Sequence, residues 1–165
     1  MSPTLFVAEV PSPLGLISLV ATDLGLSGLY FLGQKHWPQG SSTWLRDDGP
    51  RFDAARDWLR AYFGRNTMPP LPVLDLNTGT AFQRKTWQAL TDIPLGETVS
   101  YTQIAEKISA PKSVRAVGGA IGRNPISLII PCHRVIGSSG KLTGYAGGLE
   151  RKRWLLAHEE SLHEL

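Results

Sequence analysis

Apolar residues in the first third of the chain fall in short runs broken by turn formers. Leu5 to Val10, Leu16 to Ala21 and Leu26 to Leu32 are rich in residues that favour strands, and Pro11, Pro13, Gly15, Asp23 and Gly25 punctuate them. Three strands are predicted. Residues 34–50, rich in Gly, Ser, Pro and Asp, predict a loop. The period then changes: Phe52, Ala55, Leu59, Tyr62 and Phe63 lie on one helical stripe, which Gly64 can end. Pro69, Pro70, Pro72 and Gly79 mark 65–79 as a linker.

The second half reads as mainly helical. A helix near 80–92 carries Phe82, Trp87 and Leu90 on one side. Ser100-Tyr101-Thr102-Gln103 fits a capping box and starts a short helix through about Ile108. Pro111 stops it and a second helix starts at Ser113, so the pair is a helix-turn-helix candidate. That second helix contains Gly118, Gly119 and Gly122, each costing a helix interior about 1 kcal/mol relative to Ala. Either tight helix packing or close approach of a ligand must offset the loss. Ile126 to Ile130 reads as a buried strand. The pattern predicts a mixed α/β (α+β) fold. A small N-terminal sheet-plus-helix domain, 1–79, precedes a mainly helical domain, 80–165, with a helix-turn-helix.

Composition narrows the class. With 165 residues, 42% hydrophobic and 19% charged, the chain can bury a core and is neither disordered nor fibrous. No run approaches the roughly 18 apolar residues of a membrane span, and Met1-Ser2-Pro3-Thr4 lacks the basic start of a signal peptide. One cysteine gives no disulfide framework and no cysteine zinc cluster, so a reduced thiol in the cytoplasm is expected. The net charge of +3 hides an asymmetry. Within 107–153 there are nine basic residues, Lys107, Lys112, Arg115, Arg123, Arg134, Lys141, Arg151, Lys152 and Arg153, against Glu150 alone. Such an excess attracts polyanions, although a solvated face has the same composition.

The chemistry concentrates at Pro131-Cys132-His133-Arg134-Val135. A thiol beside a histidine and an arginine is expected to ionise more readily than a free cysteine, whose pKa is about 8.5. Adjacent side chains of an extended strand point to opposite faces, so a direct Cys132–His133 bond is not implied and a bridging water or a bend is required. An orienting carboxylate for the histidine could come from Glu159 or Glu160. His36, His158 and His163 have no ligand-like spacing, and no metal site is expected. Gly137-Ser138-Ser139-Gly140 and Gly144-Tyr145-Ala146-Gly147-Gly148 match no phosphate loop and suit a pocket wall or turns.

Together these residues closely resemble the O6-alkylguanine-DNA alkyltransferase family. The likeness rests on Pro131 to Val135, Asn124-Pro125, Arg115-Ala116-Val117-Gly118, Tyr101, Gly144 to Gly148 and Leu155-Leu156-Ala157-His158-Glu159, in order and spacing. It covers essentially all of 80–165, while 1–79 match only loosely. The resemblance implies irreversible, stoichiometric transfer of an alkyl group from O6-alkylguanine, and also from O4-alkylthymine, to Cys132. It implies that His133 acts as base through water, that Glu159 orients His133, and that Tyr101 helps to protonate the departing guanine. Arg115 would fill the space left by a flipped nucleotide, with Ala116, Gly118, Gly119, Thr102, Gln103, Arg123 and Asn124 as further DNA-binding residues. Asn124 would also brace the turn before the cysteine, and with Val135, Tyr145 and Ala146 it would line the guanine pocket. The helix-turn-helix would enter the minor groove.

The expected partner is duplex DNA carrying alkylated guanine, bound by a monomer able to assemble cooperatively, with no cofactor and no membrane. Some relatives hold zinc through N-terminal cysteines, which this half lacks; others carry an extra N-terminal module, for which 165 residues leave no room. Ala146 stands where some relatives have serine, so a backbone contact there would survive and a hydroxyl contact would not. A thiol hydrolase, a non-catalytic lesion-binding module and a redox sensor are the rival readings; turnover, absence of transfer and reversible oxidation would mark them respectively.

Overall fold

The computed structural model describes residues 3–163, with side chains as far as Glu160. Met1-Ser2 and the His163 side chain lie outside that range. The chain divides into two compact units, Met1–Leu76 and Asn77–Leu165.

The first unit is a four-stranded sheet with one long helix. The strands are β1 (Phe6–Val10), β2 (Ile17–Ala21), β3 (Leu26–Phe31) and β4 (Leu45–Arg46), in the order β3-β2-β1-β4. The β1–β2 and β2–β3 pairs are antiparallel and β1–β4 is parallel. Ile17, Leu19, Leu29 and Phe31 of the sheet are buried with Phe52, and with Leu59 and Tyr62 of helix α1 (Asp53–Gly64). Each such side chain contributes roughly 1.5–3 kcal/mol relative to exposure. Gly64 is the last helical residue, and Arg65 takes the left-handed cap at φ 61°.

Two sequence readings are corrected here. The predicted loop 34–50 contains strand β4, whose two exposed residues are too few to show alternation. The loop is held by Tyr30, Trp37 and Trp44, whose ring centroids lie 5.9–6.4 Å apart. The predicted linker 65–79 is not free throughout. Leu26 N–H donates to Val73 O at 2.8 Å, Asp75 N–H donates to Leu26 O at 2.7 Å, and the Thr22 hydroxyl donates to Asp75 at 2.5 Å. Gly25 allows this approach, since a Cβ there would stand 2.7 Å from Val73 O. Proline content hid the pairing, because one bridge residue just after Pro69, Pro70 and Pro72 leaves no pattern.

The second unit holds helix α2 (Ala81–Leu90), strand β5 (Val99–Ser100), helices α3 (Tyr101–Lys107) and α4 (Val114–Gly122), strand β6 (Val135–Ile136) and helix α5 (Leu149–His163). Capping boxes start α2 at Thr80 with Gln83 and α3 at Ser100 with Gln103. Helices α3 and α4 pack together over Ile104, Ala105, Val117 and Ile121, the helix-turn-helix. Trp87 of α2 donates its indole N–H to Ala120 O at 2.8 Å, which fixes α2 against α4.

The run 126–130 is buried but is a turn, not a strand. Leu128 sits at φ 73°, and Ile130 N–H closes onto Ile126 O at 3.0 Å. A left-handed leucine costs about 1–2 kcal/mol, and an apolar run has the same signature in a strand or a buried turn. Asn124 holds the turn from both sides: its amide N–H donates to Ile130 O at 2.8 Å and its oxygen accepts from Ile126 N–H at 3.0 Å.

Asp75→Ala, which leaves the buried Thr22 hydroxyl without this acceptor, is expected to destabilise the first unit by about 1–3 kcal/mol. Urea unfolding followed by tryptophan fluorescence with Trp87 and Trp154 of the second unit replaced by Phe, so that Trp37, Trp44 and Trp58 report the first unit, reads it; an unchanged midpoint would mean that the 73–75 segment is not part of the folded unit.

Candidate active site

Residues Cys132–Arg134 form a single 3-10 turn directly after Pro131. This turn is the bend that the sequence offered as the alternative to a bridging water. It brings three consecutive side chains into the interior of the second unit, with Cys132 7%, His133 0% and Arg134 7% exposed.

Glu159 of α5, 1% exposed, is the carboxylate that meets them. It accepts from His133 Nε2 at 2.5 Å and from Arg134 Nε at 2.6 Å. Arg134 also donates to Ile93 O at 2.7 Å. Glu160 is exposed. Burial alone would raise the Glu159 pKa, but the hydrogen bond and charge from His133 and Arg134 outweigh it and hold the carboxyl at about 2. Burial pushes His133 the other way, below its ordinary value, against the pull of Glu159. The imidazole is therefore neutral at pH 7. A carboxylate only accepts, so hydrogen-bonding logic assigns the one ring proton to Nε2. That leaves Nδ1 with its lone pair, buried and without a hydrogen-bond partner among the described residues.

The thiol differs from the sequence expectation. Burial pushes Cys132 up to about 11, with Asn124 and Lys152 offsetting only part of that rise. The arginine that was expected to lower it is committed to Glu159. At rest the residue is a thiol, and a base must take its proton when it reacts.

Lys152 was counted with the surface charges and is fully buried. Its ammonium donates to Val135 O at 2.7 Å and Thr143 O at 3.3 Å. Seven exposed or half-buried cations thus remain of the nine within 107–153. The signal was present in the helical spacing: Lys152 and Glu159 share one face of α5 with Leu155.

The remaining sequence-selected residues fall into two groups. Val135 is buried, Tyr145 and Ala146 are half-buried, and the Tyr145 ring meets His133 edge-on at 6.3 Å. Tyr101, first residue of α3, places its hydroxyl 2.7 Å from the Thr143 hydroxyl, a residue that the sequence reading did not select. Arg115, Ala116, Gly119, Arg123, Thr102 and Gln103 are exposed on the helix-turn-helix, and Gly118 is half-buried. Gln103 spends its side-chain oxygen on the capping box, accepting from Ser100 N–H at 2.8 Å. Gly119 and Gly122 are exposed, and a Cβ at either would meet nothing within 4 Å. Tight internal packing therefore does not explain them.

The chain matches the family model described as 6-O-methylguanine DNA methyltransferase, DNA binding domain, over residues 81–161. A methylated-DNA–protein-cysteine methyltransferase of Mycolicibacterium paratuberculosis is 49% identical over 91% of this chain and 89% of its own length. This chain belongs to the methylated-DNA–protein-cysteine methyltransferase family. A relative of the same name from Methanosarcina barkeri is 46% identical over 92% of this chain and 95% of its own. Among solved structures, Mycobacterium tuberculosis OGT in complex with DNA matches with a TM-score of 0.86 and 46% identity, covering 95% of this chain and 94% of that one. For a methyltransferase that accepts on cysteine, the described residues offer one candidate acceptor, Cys132. Among them, no three His, Cys, Asp or Glu side chains gather as a metal site, and no helix is long and apolar enough to cross a membrane.

Modification of Cys132 by iodoacetamide is expected to be slow at pH 7.5 and to accelerate with pH towards about 11. A rate that levels off below pH 8 would reveal a resting thiolate and overturn this account.

Proposed function

We infer that this protein repairs alkylated duplex DNA directly, moving the alkyl group from O6-alkylguanine to Cys132. The observation that carries the reading is the buried thiol in one turn with a neutral histidine whose Nδ1 lone pair is free. Duplex DNA carrying alkylated guanine is the substrate and partner; O4-alkylthymine is a second substrate. The protein acts in the cytoplasm as a monomer that can assemble cooperatively along DNA. Residues 80–165 carry both DNA binding and transfer.

A base inside the duplex is out of reach of a buried thiol, so the damaged nucleotide is flipped out, at a cost of a few kcal/mol. Arg115 fills the gap from the exposed face of α4, which lies in the minor groove, and Thr102, Gln103, Ala116 and Arg123 contact the backbone. Val135, Asn124, Tyr145 and Ala146 line the pocket for the extruded guanine. The Cys132 proton passes through water to His133 Nδ1, and Glu159 steadies the resulting imidazolium through Nε2. The sulfur pair forms the S–C bond as the C–O bond breaks and its pair leaves on the guanine. Tyr101 supplies the proton that neutralises the guanine and is reprotonated from solvent, while the His133 imidazolium releases the thiol's proton to solvent, so no net proton is gained or lost. Neutralising the leaving oxygen in a dry site lowers the barrier in the manner of an oxyanion hole. The product is a thioether, so each chain acts once.

Intact mass after mixing with a duplex that carries one O6-methylguanine tests the reading. A gain of one CH₂ unit, mapped to Cys132, saturating at one per chain and lost in Cys132→Ser, is expected. Tight binding without a mass gain would favour the lesion-binding module instead.

The glycines of α4 give a second test. Gly119→Ala is expected to stabilise the protein by roughly 0.5–1 kcal/mol, because a helix interior favours Ala. The same variant is expected to weaken duplex binding severalfold, by placing a methyl between helix and groove. Greater stability with unchanged affinity would remove Gly119 from the DNA-facing surface.

A further inference from the structure

Strands β5 and β6 pair in parallel, with Val99 opposite Val135 and Ser100 opposite Ile136. That pairing joins the start of α3 to the chain just beyond the cysteine turn. Tyr101 is the next residue after Ser100, and its hydroxyl reaches the 137–147 segment, where it meets the Thr143 hydroxyl at 2.7 Å. On its other side the Tyr101 ring lies against Gly118 of α4, where a Cβ would stand 3.8 Å from the ring.

Thr143 is itself anchored. Its carbonyl accepts from the buried Lys152 ammonium at 3.3 Å, and Lys152 also holds Val135 O at 2.7 Å. Its methyl lies 3.5 Å from the position of a Cβ on Gly137. Gly137 N–H in turn donates to Lys141 O at 2.9 Å, which closes the turn that carries Thr143 back. A threonine hydroxyl both donates and accepts. When it donates to the phenol oxygen, the phenol proton is free to point at a bound base; without it, that proton turns to another acceptor or to solvent.

We propose that Thr143 is a positioning residue for the transfer reaction: its hydroxyl, fixed through Lys152, holds Tyr101 so that the phenol proton is directed at the departing guanine. The proposal rests on the reading of Tyr101 as the proton donor. The bond changes are those of the transfer itself; Thr143 loses no proton overall and touches neither the thiol nor the alkyl group.

Single-turnover kinetics on an O6-methylguanine duplex separate the two claims. Thr143→Val keeps the shape and removes the hydroxyl. It is expected to lower the transfer rate constant at saturating DNA by about 2- to 10-fold, the kinetic equivalent of one hydrogen bond, with the Kd for the duplex unchanged. Thr143→Ser is expected to restore the rate. In a Tyr101→Phe background, Thr143→Val is expected to change nothing further. A Thr143→Val protein that transfers at full rate while Tyr101→Phe is slow overturns the proposal alone. An equal loss in the Tyr101→Phe background overturns it too, since Thr143 would then act elsewhere. A Tyr101→Phe protein at full rate overturns the reading of Tyr101, and the proposal with it.

Discussion

One buried carboxylate holds the second unit's site in register. Glu159 accepts from His133 and Arg134 at 2.5 and 2.6 Å, and an isolated carboxylate at that depth would be costly to bury. The same grip orients the imidazole, neutralises the arginine and, through Arg134 and Ile93 O, ties α5 to the segment after α2. Breaking a buried pair of this kind costs about 3–5 kcal/mol, because the surviving charge is stranded. Lys152 lies seven residues earlier on α5, about 10.5 Å along a helix axis. It binds Val135 O, just past the cysteine turn. Two charges of opposite sign, two helical turns apart, thus clamp residues 133–135 onto one helix face.

This clamp has an electrostatic consequence for the thiol. Arg134 is the cation next to Cys132 in sequence, yet its charge is spent on Glu159, and burial then sets the thiol pKa at about 11. A protonated sulfur is less open to oxidation and to stray electrophiles than a standing thiolate. His133, held neutral by burial with its ring proton on the Glu159 side, keeps a basic nitrogen ready without ionising the thiol in advance.

The elements with a clean period were legible in the sequence: β1 to β3, α1, and the α3–α4 pair with the Ser100 capping box. The cysteine motif and Glu159 were legible only as a set, because spacing alone left Glu160 equally eligible. Most of what escaped had no local signature. Strand β4 has two residues, and 73–75 contribute one bridge directly after a proline-rich stretch. The 126–130 turn hides behind five residues that would suit a strand, one of them a leucine in the left-handed region. Lys152 and Arg134 were counted in the basic excess, since composition cannot separate a cation that faces solvent from one that caps carbonyls or a carboxylate. For Lys152 the helical spacing to Leu155 and Glu159 carried the signal. For Arg134, expected beside the thiol, nothing local marked the pairing with Glu159. The hydroxyl of Thr143 became visible only when β5 and β6 paired.

The glycines of α4 show how such a conflict between local preference and global fold can be used. Three of them in nine residues cost a helix about 3 kcal/mol relative to Ala, a large part of the margin of a small protein. At Gly118 an added Cβ would make ordinary contact with Tyr101, and at Gly119 and Gly122 it would meet nothing. The helix keeps its place through its other face, where Val117, Ala120 and Ile121 are buried and Ala120 O accepts from Trp87. The destabilising residues therefore cluster on the face that does no packing, beside exposed Arg115 and Arg123. Local rules broken without internal compensation are expected where a chain meets its partner. On this helix the break lies on the same side as the positive charge.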